Sequence, residues 1–134
     1  MEERRRHAPT VLIVDDETVT RNLVAKLLSR EGYRTLTAKD GPEALQLYEM
    51  KKSEIDLTLL DATMPGMDGF ETMLAIREID PKAEFVLSSG FPEETFPQSN
   101  LSIAFLSKPY TLSDLMSVVT GALPKHGSAS GPSP

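Results

Sequence analysis

The chain predicts an α/β fold in which parallel strands alternate with helices that cover both faces of the sheet. Three observations carry this. Short apolar runs such as Val11-Leu12-Ile13-Val14 and Leu57-Thr58-Leu59-Leu60, bounded by turn residues, read as buried strands. Between the runs, apolar residues recur at helical spacing. Four runs also end in the same manner: on Asp15-Asp16, on Asp61, on Ser88-Ser89-Gly90, and on Ser107-Lys108-Pro109. Alternating strands and helices imply βαβ units with right-handed crossovers, so those polar ends meet at one sheet edge.

The elements follow in order. Residues 1–9 read as an N-terminal linker. Thr10 to Val14 is rich in β-branched and aliphatic residues, the signature of a strand buried on both faces. Val19, Leu23, Val24, Leu27 and Leu28 then repeat at helical spacing, with Arg21, Asn22, Lys26 and Arg30 between them and Gly32 as the stop. Tyr33 to Ala38 is a second strand. Asp40 is the expected N-cap of a second helix, with Pro42 in its first turn and Ala44, Leu45 and Tyr48 as its buried stripe. A third strand, Asp56 to Leu60, leads into Asp61 and the loop Ala62-Thr63-Met64-Pro65-Gly66-Met67-Asp68-Gly69. Phe70, Met73, Leu74 and Ile76 mark a third helix, closed by Asp80-Pro81.

Phe85 to Ser88 is a fourth strand. Pro92 and Pro97 allow only a short or irregular helix over Gly90 to Asn100. Ile103 to Ser107 is the fifth strand. Thr111 caps a last helix whose Leu112, Leu115, Met116 and Val119 fall at i, i+3, i+4 and i+7, with Asp114 near its positive end. From Gly121 the composition turns to Pro, Gly, Ser and Ala. The expected organisation is a folded domain over 10–121 and a disordered tail or linker over 122–134.

At 134 residues the chain suits one ordinary domain. Its formal charge of −6 argues against direct nucleic-acid binding, which needs clustered Lys and Arg, and Arg4-Arg5-Arg6 reads as part of a solvated linker. There is no cysteine, hence no disulfide framework. With no apolar leader or transmembrane stretch, the expected setting is the cytoplasm, without membrane contact by this segment.

Asp15, Asp16, Asp61, Ser89 and Lys108 all fall at the carboxyl ends of strands, where open α/β sheets bind ligands. Three carboxylates in one crevice repel one another unless their pKa values rise or a cation joins them. A hard divalent ion such as Mg²⁺ suits oxygen ligands. A carboxylate can also act as a nucleophile toward phosphorus, with Lys108 offering a positive charge and Ser89 a hydrogen bond to the phosphoryl oxygens. Singly, each feature has a plainer reading as turn, cap or loop. In this order, each at the end of its own strand, they fit phosphoryl transfer onto Asp61.

The segments Val11-Leu12-Ile13-Val14-Asp15-Asp16-Glu17, Leu60-Asp61-Ala62-Thr63-Met64-Pro65-Gly66-Met67-Asp68-Gly69, Ser88-Ser89-Gly90 and Leu106-Ser107-Lys108-Pro109-Tyr110 resemble the receiver domain of two-component response regulators. The resemblance covers about residues 10–121 and includes Ala38 to Leu45. It implies a flavodoxin-like (βα)5 sandwich with strand order 2-1-3-4-5. It implies that Asp61 is the phosphoacceptor, that Asp16 and Asp61 ligate Mg²⁺, that Asp15 helps through water, and that Thr63 gives its backbone carbonyl. Ser89 and Lys108 would bind the phosphoryl group, and Phe105 would be the switch aromatic. The implied partner is a histidine kinase or a histidine phosphotransfer domain, and the implied state a monomer or a phosphorylation-dependent dimer. Such domains promote their own phosphorylation and dephosphorylation.

The departures are informative. Ser89 stands for the commoner Thr, Phe105 lacks the hydroxyl of the frequent Tyr, and Pro92 and Pro97 put the family's usual fourth helix and its partner surface in question. A dehalogenase-type phosphatase would need an Asp at Thr63 and its acidic pair last, so it does not fit. A receiver-like interaction module that is never phosphorylated is the alternative, though a scaffold has no need for this set of charges. The parent is expected to be a stand-alone regulator, a hybrid sensor histidine kinase or a larger regulator.

Overall fold

The computed structural model describes residues 8–92 and 103–123. Five strands, β1 (Thr10–Val14), β2 (Arg34–Ala38), β3 (Leu57–Asp61), β4 (Phe85–Ser89) and β5 (Ala104–Ser107), form one sheet in the order β2-β1-β3-β4-β5. Every neighbouring pair is parallel. Four helices are described: α1 (Thr18–Arg30), α2 (Gly41–Lys51), α3 (Gly69–Ile79) and α4 (Leu112–Ala122). The irregular helix expected over Gly90 to Asn100 lies outside the described residues, apart from its first three positions.

Strand alternation sorts the core into two layers. Leu12, Val14, Leu60, Phe85 and Leu87 face α2 and α3, packing on Ala44, Tyr48, Met73 and Ile76. Val11, Ile13, Leu57, Leu59, Val86 and Leu106 face α1 and α4, packing on Val24, Leu28, Leu115 and Val119. The central strands β1, β3 and β4 are buried along their full length, which is why they read as continuous apolar runs.

The helix starts follow side-chain chemistry. At α2 the Asp40 carboxylate accepts from the Glu43 N–H at 2.9 Å, and Pro42 occupies the first turn. At α4 Thr111 Oγ1 accepts from the Asp114 N–H and Asp114 Oδ2 from the Thr111 N–H, both at 3.0 Å, a reciprocal capping box. At α1 the chain stops where Gly32 adopts φ +99°, a conformation that L side chains rarely take.

Several boundaries differ from expectation by a residue: β3 starts at Leu57 rather than Asp56, β4 runs on to Ser89, and β5 starts at Ala104 rather than Ile103. β3 runs through Asp61 rather than ending before it, because Asp61 still pairs with Ser88. The strand at Tyr33 begins one residue later, at Arg34. α4 carries through Gly121 to Ala122, and the Leu123 N–H closes it on the Val119 carbonyl at 3.1 Å while Leu123 packs against the core. That packing outweighs the helix-breaking composition further on. Among the described residues no helix is long and apolar enough to cross a membrane.

Candidate functional site

The strand order reverses direction at β1, so the ends of β1 and β3 open a crevice between the connections that leave them. Asp15 follows β1, Asp61 ends β3, Ser89 ends β4 and Lys108 follows β5, which places all four on one rim. The rim is tied across the sheet by backbone bonds. The Asp15 N–H donates to the Ala38 carbonyl at 3.2 Å, the Ala62 N–H to Ser88 at 2.8 Å, and the Lys108 N–H to Ser89 at 2.8 Å. Lys108 thus starts from a fixed point beside β4, ahead of a cis Lys108–Pro109 bond.

From there its ammonium reaches over the crevice. Nζ lies 3.8 Å from Asp15 Oδ2 and 3.6 Å from Asp61 Oδ2. Asp15 and Asp61 are 6 and 7 % exposed, whereas Asp16 is exposed at the mouth of the crevice. Asp15, Asp16 and Asp61 each offer a carboxylate oxygen, all within 4.8 Å of one another. Backbone amides hold the two buried carboxylates: the Glu17 N–H donates to Asp15 Oδ1 at 2.9 Å and the Thr63 N–H to Asp61 Oδ1 at 3.2 Å.

Burial decides the electrostatics. It pushes the Asp61 carboxyl above the usual carboxylate range against the pull of Lys108 and the Thr63 amide, with Asp15 and Asp16 adding repulsion. Asp15 is raised too, chiefly by burial, while the Glu17 amide and Lys108 pull it down. Tyr110 is pushed up to about 12 by burial and then by the negative charges of Asp15 and Asp61. One ammonium against three carboxylates leaves the crevice short of positive charge. A set of hard oxygen donors in this condition fits a divalent cation such as Mg²⁺.

Four of the sequence-predicted residues form one cluster. Asp15, Asp16, Asp61 and Lys108 come together. Ser89 is buried at the same rim, yet its Oγ accepts from the Phe91 N–H at 2.9 Å, a bond within its own turn. Thr63 is exposed beside Asp61. Phe105 is half-buried on β5 and packs on the α2/α3 side of the core.

Contacts that sequence reading passed over are those of Glu17, Arg21, Gly69 and Tyr110. The Arg21 guanidinium donates from Nη1 to the Asp15 carbonyl oxygen at 2.9 Å, although the sequence shows only another polar residue of α1. Gly69, the first residue of α3, lies so close to β3 that a Cβ there would collide with the Asp61 carbonyl oxygen and sit 2.7 Å from Ala62 Cα. The Asp-Gly pair at a helix start was the available signal.

Comparison with known proteins gives the arrangement its relatives. The chain is 34 % identical over 120 residues to the sensor kinase CckA of Brucella abortus, a match that takes 87 % of this chain and only 13 % of that protein. It is 32 % identical over 117 residues to the sporulation initiation phosphotransferase F of Bacillus subtilis, covering 85 % of this chain and 93 % of that one. In structure it is similar to a chain of the CheX–CheY–BeF3–Mg²⁺ complex from Borrelia burgdorferi, with a TM-score of 0.76, 30 % identity, and 84 and 87 % of the two chains covered. The model of the response regulator receiver domain matches residues 11–120. Since that match runs from Val11 in β1 to Thr120 in α4 and so takes in every strand, the chain belongs to the response regulator receiver domains of two-component systems.

Proposed function

We propose that this domain accepts a phosphoryl group on Asp61 from a phosphohistidine donor, with Mg²⁺ bound, and uses the modified crevice to change its contacts with a partner. The observation that carries the reading is the Lys108 ammonium standing between two buried carboxylates, 3.6 Å from Asp61 and 3.8 Å from Asp15. An Asp61 oxygen attacks phosphorus, the phosphorus–nitrogen bond of the donor breaks, and the imidazole leaves with the electron pair. The amide that holds Asp61 Oδ1 leaves Oδ2 as the attacking oxygen, on the side where Lys108 stands. Lys108 moves from carboxylate to phosphoryl oxygens as charge develops there.

Asp16 and Asp61 would hold Mg²⁺ directly, with Asp15 acting through water and Thr63 through its carbonyl, and the bound ion would supply positive charge to the phosphoryl group. Ser89 would donate its hydroxyl proton to the phosphoryl group while its Oγ accepts from the Phe91 N–H. Phe105, lacking a phenol hydroxyl, would follow by repacking against Leu87, its neighbour on β4. The similarity to a chain solved with BeF3 and Mg²⁺ supports this reading.

The donor is a histidine kinase or histidine phosphotransfer domain in the cytoplasm. Likeness both to a segment of a sensor kinase and to nearly all of a small phosphotransferase supports either kind of parent, a hybrid kinase or a free-standing relay protein. The test is intact-mass analysis after incubation with acetyl phosphate, with and without Mg²⁺, with Asp61→Asn alongside. A Mg²⁺-dependent phosphoryl adduct on the unaltered protein alone is the expected result. If neither acetyl phosphate nor a phosphohistidine donor labels the folded protein, it is an interaction module.

A further inference from the structure

Asp16 is the member of the acidic cluster with the least support. It is exposed, whereas Asp15 and Asp61 are buried and each is held by a backbone amide. Its position therefore depends on the backbone that carries it, above all on the peptide between Asp15 and Asp16. The carbonyl of that peptide is the acceptor for Arg21 Nη1 at 2.9 Å. Arg21 is itself anchored in the first turn of α1: its N–H donates to the Glu17 carbonyl at 2.9 Å, and Nη2 approaches Thr18 Oγ1 at 3.5 Å. Glu17 closes the circuit by donating its N–H to Asp15 Oδ1.

We infer that Arg21 is a positioning residue for the divalent cation: by holding the Asp15 carbonyl it fixes the Asp15–Asp16 peptide plane, and so the spread of the two carboxylates that face Asp61. The inference rests on the proposed Mg²⁺ site. It is a role for a residue one turn inside α1 that touches neither the reacting atoms nor the ion. The guanidinium suits it, because a planar fork on a long stem can reach back to the strand end while the helix fixes its base. Neither side chain of the acidic pair could do this, since both are needed at the crevice.

A positioning role and a purely electrostatic one predict opposite signs. Arg21 is a cation close to a cation site, so as a charge alone it repels Mg²⁺ and its removal tightens binding. As the clamp on the peptide plane, its removal lets the pair relax apart and weakens binding. Loss of outer-sphere support around a metal costs roughly tenfold or more in affinity.

The experiment is calorimetric titration of Mg²⁺ alone into the full chain as wild type, Arg21→Ala, Arg21→Met and Asp16→Asn, with metal-free melting curves to choose a temperature at which each is folded. Arg21→Met keeps the aliphatic stem and removes charge and donors together. The expected result is about tenfold weaker Mg²⁺ binding in both Arg21 variants. Unchanged or tighter binding in either of them overturns the inference, and so does a fall in melting temperature with affinity unaltered, which marks a bond of structural use only. Wild type without saturable binding takes down the Mg²⁺ site and this inference together. Asp16→Asn binding as tightly as wild type removes the reason for a clamp while leaving a cation site on the other carboxylates.

Discussion

Asp61 is placed where a carboxylate is least comfortable: at the end of a buried strand, 7 % exposed, beside Asp15 and Asp16. Lys108, at 3.6 Å, does not offset burial, so the carboxyl is raised above its ordinary value. A carboxyl raised in the folded state contributes stability that is present below the ordinary carboxylate range and lost as pH climbs through the raised value. The metal-free protein is therefore under electrostatic strain at neutral pH. Asp61→Asn keeps an oxygen to accept from the Thr63 N–H and removes the buried charge. It should melt a few degrees above wild type at pH 7 without Mg²⁺, and the difference should shrink as pH falls through the carboxylate range. Melting curves across pH check this; a variant less stable than wild type at pH 7 would mean that the Lys108 ion pair outweighs burial. That Asp61 stands at the end of a buried strand was legible in the sequence, because an apolar run stops on it and a Pro/Gly-rich loop follows. That Ser89 Oγ is engaged by its own turn was not, because a hydroxyl's partner depends on the path of a two-residue turn.

At the scale of elements, the loop that follows Asp61 is held by the start of α3. Asp68 and Glu71 cap it reciprocally, each amide donating to the other's side chain at 2.9 Å, and the Gly69 N–H donates to the Ala62 carbonyl at 3.0 Å. Gly69 is required by this close approach rather than by its dihedral angles: a Cβ would be driven into the backbone of Asp61 and Ala62, which has nowhere to move. Gly69→Ala should cost about 1–3 kcal/mol, the usual toll of overpacking. Denaturant unfolding measures it, and phosphoryl adduct formation should fall with it because the displaced atoms belong to Asp61. A loss well below that range would show that α3 can slide. Helix starts and periodicities were readable in advance, as at Asp40 and Thr111. Which apolar residues the helices bury was less so: Val19, Leu23, Leu74 and Leu112 stand 79, 53, 53 and 44 % exposed. Periodicity marks a helical face, but the angle at which that face meets the sheet decides how wide a stripe is covered.

For the molecule as a whole, the Mg²⁺ binding proposed for the acidic crevice would couple folding to cation binding. An ion that binds only the folded state stabilises it by mass action, about 2.7 kcal/mol at a hundredfold excess over Kd. Mg²⁺ should raise the melting temperature by several degrees at neutral pH and EDTA should reverse it. The rise should fade at acid pH as the carboxylates protonate, and should be lost in Asp16→Asn. A melting temperature indifferent to Mg²⁺ up to millimolar concentrations would remove the cation from the mechanism.

The sequence by itself determined the α/β class, four of the helices, the five strands and the polar residues that terminate them, because periodicity, capping and breaker residues act over a few positions of chain. Tertiary structure decided which of those polar ends meet. Lys108 reaches Asp15 and Asp61 only because β4 lies between β3 and β5 and the Ser89 carbonyl fixes the backbone of Lys108. Contacts of this kind depend on strand order and on helix docking. Those are set by the two apolar layers acting together, so no local stretch of chain contains them.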